Sequence, residues 1–301
     1  MKWFMLSFGV LMLVAGCQKK QEPVRTMFSG NVGLALTVNQ SIKIQPDNPK
    51  TGDVLTVATP GNISAKSITW YVNNRQHAMT NSLQSGFQKG DSITAVVSYT
   101  ENKGEQKELV TPAVLIHDAP PIITSINIQP MYPTIASTMQ VTVQASDADG
   151  DPVAFDYKWY VNNAPVEDQT GDSFSCGSYK HGDVVHVDIT PSDGEQNGLS
   201  ATSSYISIQD TPPVITSKPP VSITGSTFLY KVEAVDIDND HLTYKLESAP
   251  QGMTINHDGV ISWDPKDAEL PLETTVKVVV DDGYGGKAYQ TFNLNLGTKT
   301  P

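Results

Sequence analysis

The chain has 301 residues, with 32 acidic against 20 basic side chains and a formal net charge of −12. That balance argues against binding nucleic acid, or an anionic lipid surface, through a basic patch, and it suits the binding of cations. Two cysteines exclude a disulfide scaffold, and the length allows two or three domains at roughly 100–150 residues each.

The first element in chain order is a leader. Lys2 precedes an apolar stretch from Phe4 to Val14, and Leu13-Val14-Ala15-Gly16 leads into Cys17. A charged start, roughly 7–15 apolar residues and small residues at the cut make a secretory signal peptide. The stretch is shorter than the roughly 20 residues that span a bilayer. A cut ending in Ala-Gly-Cys resembles the bacterial lipoprotein signal. The resemblance implies that residues 1–16 are removed and that Cys17 carries the lipid. Gln18 after it points, by analogy with enteric sorting, to the outer membrane, with either the periplasm or the cell surface as the facing side. Residues 17–30 read as a lipidated, flexible tether. With Cys17 committed to lipid, Cys176 has no partner within the chain and is expected to be a buried small apolar residue.

The chain then repeats itself. Ser41-Ile42-Lys43-Ile44-Gln45-Pro46 recurs as Ser125-Ile126-Asn127-Ile128-Gln129-Pro130. Trp70-Tyr71-Val72-Asn73-Asn74 recurs as Trp159-Tyr160-Val161-Asn162-Asn163, Lys89-Gly90-Asp91 as His181-Gly182-Asp183, and Gly104-Glu105-Gln106 as Gly194-Glu195-Gln196. Asp118-Ala119-Pro120-Pro121 recurs as Asp210-Thr211-Pro212-Pro213. Five matches in one order define a unit of about 90 residues, a whole small domain rather than a solenoid repeat of about 20–50 residues. Period-two alternation marks strands: Ile68, Trp70 and Val72; Ile93, Ala95 and Val97; Val141, Val143 and Ala145; Phe155, Tyr157, Trp159 and Val161. No helical period is present beyond a single turn allowed at 265–270. About seven short strands per unit fit an immunoglobulin-like sandwich, with Trp70 and Trp159 where strand C carries its core tryptophan. The expected fold class is all-β: three tandem immunoglobulin-like (cadherin-like) β-sandwiches at 31–118, 119–210 and 211–297.

The third unit keeps the rhythm with a different sequence. An Asp-rich turn (Asp236-Ile237-Asp238-Asn239-Asp240) is followed by Ala249-Pro250-Gln251-Gly252-Met253, Gly259-Val260-Ile261-Ser262-Trp263, and Asp282-Gly283 before a closing strand. This run resembles the bacterial putative-Ig and dystroglycan-type cadherin-like domains. The second unit, with Asp147-Ala148-Asp149-Gly150-Asp151-Pro152, resembles tandem Ig-like modules of bacterial surface proteins. The Asp-x-Pro-Pro joints at 118–121 and 210–213 read as stiff, extended linkers.

The carboxylates carry the chemistry. Asp147, Asp149 and Asp151 follow strand B of the second unit and Asp193 follows its strand F. Asp236, Asp238 and Asp240, then Asp281 and Asp282, take those places in the third. The B–C and F–G loops of such a sandwich meet at one end, at the pole where Asp118 or Asp210 enters. Crowded carboxylates repel and call for protons or a cation, and calcium takes six to eight oxygens. The expected ligands are Asp118, Asp147, Asp149, Asp151, Asp193, Asp210, Asp236, Asp238, Asp240 and Asp281, with calcium as the cofactor, in joints like those of cadherin-like proteins. Asp and Asn are also ordinary turn residues. The first unit offers Ala58-Thr59-Pro60-Gly61-Asn62 instead, without an acid.

Enzyme motifs fail on context. Gly171-Asp172-Ser173-Phe174 resembles the nucleophile segment of one esterase family, with Asp238 and His241 as nominal partners, but that chemistry needs a strand–turn–helix elbow. Asp236 to Glu247 mimics an EF-hand loop, yet its sixth position is His241 and its flanks are strands. The expected function is therefore a non-catalytic, lipid-anchored envelope protein: an adhesion or assembly scaffold with a protein or glycan partner and calcium-stiffened joints. The alternative is a carbohydrate-binding or accessory subunit of an envelope enzyme or electron-transfer complex; it calls for an exposed aromatic platform, with Tyr284, Tyr289 and Trp263 as candidates, although a core place is the more ordinary role for Trp263.

Overall fold

The computed structural model describes residues 38–101, 104–220, 227–265 and 272–296. The leader, Cys17, the tether and most of the 265–270 turn lie outside them. The chain divides after Ala119 into two compact units.

The first unit holds β1 (Lys43–Gln45), β2 (Leu55–Ala58), β3 (Ala65–Val72), β4 (Arg75–Met79), β5 (Ser82–Leu83), β6 (Ser92–Thr100), β7 (Gln106–Val110) and β8 (Val114–Leu115). One sheet runs β1-β2-β5; the other runs β4-β3-β6-β7, with β8 also on β6. Ile42, Ile44, Leu55, Trp70, Ile93 and Ile116 fill the space between them. This is the expected sandwich, built by strands whose inward residues alternate with outward polar ones.

The second unit begins with β9 (Ile122–Gln129), β10 (Thr138–Ser146), β11 (Ala154–Val161), β12 (Ala164–Val166), β13 (Ser173–Ser175), β14 (Val184–Ser192), β15 (Ala201–Thr202) and β16 (Ile206–Ser207). Its sheets, β13-β10-β9 and β12-β11-β14-β15 with β16 on β14, repeat the first arrangement. A second core of Met139, Trp159, Phe174, Cys176, Val187 and Ile189 lies between them. Cys176 is fully buried, and burial pushes its thiol up to about 11. The Gly171–Phe174 segment runs into β13, paired with β10 through Ser173 and Gln140. It forms a strand, not a nucleophile elbow.

The same unit continues with β17 (Val214–Ile215), β18 (Phe228–Lys231), β19 (Ala234–Val235), β20 (Thr243–Ser248), β21 (Thr254–Ile255), β22 (Val260–Trp263), β23 (Leu272–Asp281) and β24 (Lys287–Leu296). Sheets β18-β22-β21 and β20-β23-β24 enclose Phe228, Trp263, Val276, Val278, Val280 and Leu294. The fold is all-β, three sandwiches in tandem, with no α-helix among the described residues.

The repeated sequence motifs touch one another. Asn73-Asn74 and Asn162-Asn163 have positive φ at both positions, the backbone of a type I′ hairpin turn, which Asn tolerates. Asn73 Nδ2 donates to Asp91 Oδ1 at 2.6 Å, and its Oδ1 accepts from Ser92 N at 3.0 Å. Asn162 repeats this with Asp183 at 2.8 Å and Val184 at 3.0 Å. The Trp-Tyr-Val-Asn-Asn and Gly-Asp motifs thus form one clasp between neighbouring strands. Each central tryptophan donates its indole N–H to a backbone carbonyl: Trp70 to Thr80, Trp159 to Gly171 and Trp263 to Gln251. Trp263 does so from β22 rather than from the strand-C place of the other two.

The last strand is split in the first two sandwiches. Thr111 lies between β7 and β8; its N–H donates to Ala95 O and its Oγ1 accepts from Ala95 N, at 2.9 and 3.0 Å. Ser203 does the same for Val187 between β15 and β16. A buried hydroxyl there takes the place of a backbone carbonyl in the ladder, which leaves no orphan donor.

Candidate metal centre

The acidic loops fold the same way in the second and third sandwiches. In Asp147-Ala148-Asp149-Gly150-Asp151, Asp147 Oδ1 accepts from the N–H of Asp149 at 2.8 Å and of Asp151 at 3.2 Å. In Asp236-Ile237-Asp238-Asn239-Asp240, Asp236 Oδ1 accepts from Asp238 N at 2.8 Å and Asp240 N at 3.4 Å. Gly150 and Asn239 take the left-handed step, with φ of 81° and 62°. The first aspartate of each loop therefore organises the turn, and the other two are held on one side of it. Asp193 Oδ1 braces the later loop of the second sandwich, accepting from Glu195 N and Gln196 N, both at 2.7 Å. Asp118, in the first unit, is ion-paired with Lys89 at 2.8 Å.

The pole of the third sandwich gathers Asp210, Asp236, Asp238 and Asp240 of the expected ligands. Asp238 Oδ2 accepts the backbone N–H of Thr211 in the Asp-Thr-Pro-Pro joint at 2.9 Å. Ligand oxygens of Asp236, Asp238 and Asp240 lie within 4.8 Å of one another. One carboxylate oxygen of each of Asp210 (Oδ1), Asp236 (Oδ2), Asp238 (Oδ1) and Asp282 (Oδ2) is buried without a hydrogen-bond partner. Buried, partnerless charged oxygens are costly, and four of them in one place call for a counter-charge.

Asp281 and Asp282 exchange the roles expected of them. Asp281 closes the β23–β24 ladder opposite Lys287 and pairs with it at 3.1 Å. The Gly283 N–H, and then Lys287, hold its carboxyl below the usual range. Asp282 turns inward and is 2% exposed. Its Oδ1 accepts from the N–H of Tyr284, Gly285 and Gly286 at 2.7, 3.1 and 3.1 Å. Its Oδ2 faces the Asp210 carboxylate over Gly286, where a Cβ would lie 2.0 Å from Asp282 Oδ2, 2.8 Å from Pro212 Cα and 3.1 Å from Asp210 Oδ2. Strand parity is the signal that separates the two acids. Val276, Val278 and Val280 are fully buried, so residue 282 continues the inward row and residue 281 the outward one.

A second residue, not foreseen, comes from the preceding sandwich. His181 Nε2 lies 3.3 Å from both carboxylate oxygens of Asp240, and its ring packs on Tyr284 with centroids 4.4 Å apart. His181 holds the repeat position of Lys89, whose partner Asp118 is the repeat counterpart of Asp210. That correspondence is the sequence signal for it.

Burial, then the Asp282 carboxylate, push the Asp210 carboxyl up; Asp238 and Asp240 add to this and His181 opposes it. A carboxyl raised in the folded state gives stability that is present at low pH and is lost as pH rises through its folded pKa. In chelator, the Asp210 side-chain carbon should accordingly titrate above an ordinary aspartate in an NMR pH series.

No curated protein matches this sequence. The third sandwich has a family match. Residues 212–297 fit the Putative Ig domain. The Putative Ig match thus takes in Asp236, Asp238, Asp240 and Asp282 and begins just after Asp210. Among solved structures, the chain is similar to Sidekick-1 immunoglobulin domains 1-5 (12% identity, TM-score 0.29), covering 84% of this chain and 60% of that one. It is similar to the N-terminal eight Ig domains of Down Syndrome Cell Adhesion Molecule (12% identity, TM-score 0.42), covering 87% and 37%. It is also similar to mouse Cadherin-23 EC22-24 (17% identity, TM-score 0.26), covering 86% and 99%.

Proposed function

We propose that this chain is a non-catalytic, lipid-anchored envelope protein, an adhesion or assembly scaffold in which calcium fixes the joint between the second and third sandwiches. The observation that carries the reading is Asp282: 2% exposed, with Oδ2 partnerless and facing Asp210. Asp210, Asp236, Asp238, Asp240 and Asp282 supply hard oxygen ligands from the linker and two loops of one sandwich, which suits calcium. Bound there, the ion would cancel their mutual repulsion and tie the linker to the third sandwich, so that a partner meets a rod rather than a loose thread. Tyr284 and Tyr289 are 64% and 54% exposed, while Trp263 lies in the core, the more ordinary of its two expected roles, and is no part of a sugar platform.

Calcium should raise the melting temperature of the mature chain, and excess chelator should reverse the rise. At a calcium concentration one hundred times Kd the gain is about 2.7 kcal/mol, and a domain of this size shifts by roughly 4–8 °C per kcal/mol. Calorimetric traces that coincide in calcium and in chelator would end the reading. The anchor has its own test: Cys17→Ser should move the protein from the membrane fraction to the soluble fraction of the envelope, and persistence at the membrane would refute acylation at that residue.

A further inference from the structure

The joint holds one donor that calcium does not favour, the imidazole of His181. His181, Asp210 and Asp240 each present a ligand atom, and these atoms lie within 4.8 Å of one another. Small movements would close that set on an ion with bonds of about 2.0–2.2 Å. The side chains of His181 and Asp240 are 18% and 12% exposed. Asp282 stands behind Asp210 as a nearly buried carboxylate with a free oxygen turned toward it. The turn that carries His181 is braced from below: Asp183 Oδ2 accepts Lys180 N at 2.9 Å, and Asp183 Oδ1 accepts Asn162 Nδ2 at 2.8 Å. The ring is presented by a fixed loop, which lowers the ordering cost of binding.

The first sandwich shows what this position is for. There the turn carries Lys89, whose ammonium neutralises Asp118 at 2.8 Å. In the second sandwich the turn carries a histidine, whose imidazole can offer a metal a nitrogen lone pair that an ammonium lacks. A carboxylate cage with a fixed imidazole at its edge is a ligand set for a borderline divalent ion. Imidazole suits zinc, nickel and copper, whereas calcium and magnesium select oxygen.

We propose that His181, Asp210 and Asp240, with Asp282 backing Asp210, bind a divalent transition-metal ion of the zinc class, clasping the second sandwich to the third. The proposal rests on reading this joint as a cation site; it adds a nitrogen-bearing position beside the Asp236–Asp238–Asp240 oxygen set and draws Asp210, Asp240 and Asp282 from the carboxylates named for calcium.

The mature chain, stripped of metal, is titrated with Co²⁺ as a spectroscopic probe, then with Zn²⁺, and melted in Zn²⁺, in Ca²⁺ and in chelator. The expected result is a visible Co²⁺ band that Zn²⁺ displaces and a rise in melting temperature with Zn²⁺. His181→Gln should abolish the band and the zinc-dependent rise while keeping the calcium-dependent rise. Asp282→Asn, whose amide oxygen can still accept the three loop N–H groups, should weaken Zn²⁺ binding by about tenfold or more with an unchanged circular dichroism spectrum. A calcium rise with no Co²⁺ band, or a band that survives His181→Gln through the other histidines, overturns this inference and leaves the calcium joint standing. A His181-dependent zinc rise without a calcium rise supports it and overturns calcium as the ion. No response to either ion defeats both.

Discussion

Replacing Trp159 with alanine is expected to destabilise the second sandwich by about 3–5 kcal/mol. Trp159 has no exposed surface and packs against Phe174 with ring centroids 5.0 Å apart. Its removal leaves a cavity between two sheets that are pinned by their own ladders, so little collapse can fill it. It also strips the Gly171 carbonyl of its donor, at 2.9 Å. Trp159→Phe refills much of the volume and should cost clearly less. The three sandwiches have separate cores, so the damage should stay local in hydrogen exchange. Amides of β11 and β14 should lose protection while those of β3 and β6 keep theirs. Equal loss in both would show that the sandwiches unfold as one cooperative body.

Asp282→Asn should change sign with the solution. In chelator the variant is expected to melt above the wild type, because it removes one of the crowded charges while an Asn oxygen can still accept from Tyr284, Gly285 and Gly286. In calcium it should melt below the wild type, because a ligand has been lost. A tenfold drop in affinity corresponds to about 1.4 kcal/mol, or several degrees for a domain of this size. Asp281→Asn is the matched control. It weakens a solvent-accessible pair with Lys287, where solvent screening leaves little net stabilisation, and should leave the calcium response intact. If Asp281→Asn rather than Asp282→Asn removed that response, the inward assignment of Asp282 would be wrong.

The fold was legible because the repeat and the two-residue alternation describe the same strands: Trp70 and Trp159 recur with their neighbours and land on equivalent core positions. The third sandwich was legible from rhythm and turn chemistry, although its tryptophan sits on a different strand. The acidic pole was legible as composition, since the loops that approach one another in such a sandwich are known from the strand order. What could not be read from composition was which oxygen points where. Asp281 and Asp282 are identical side chains one residue apart, and only the parity of Val276, Val278 and Val280 parts them. His181 was harder still. Its partner lies 59 positions away on another sandwich, and no local pattern encodes a contact that arises from how two domains are docked. Thr111 and Ser203 were likewise silent, because a buried hydroxyl in place of a carbonyl looks in sequence like any surface Thr or Ser.

The interrupted final strand has a consequence for how the protein survives its own synthesis. Similar domains tethered on one chain sit at high local concentration, the condition that favours strands exchanging between neighbours while they fold. An invading strand needs a long, straight edge to lengthen. Beyond Thr111 and Ser203, the final strands of the first two sandwiches continue only as the two-residue β8 and β16, and the eight-residue edge strand β9 is broken by a register shift against β10 at Gln144/Ala145. The longest edge strand among the described residues, the ten-residue β24, belongs to the sandwich whose sequence departs from the other two, where a misplaced neighbour would find few side chains that fit.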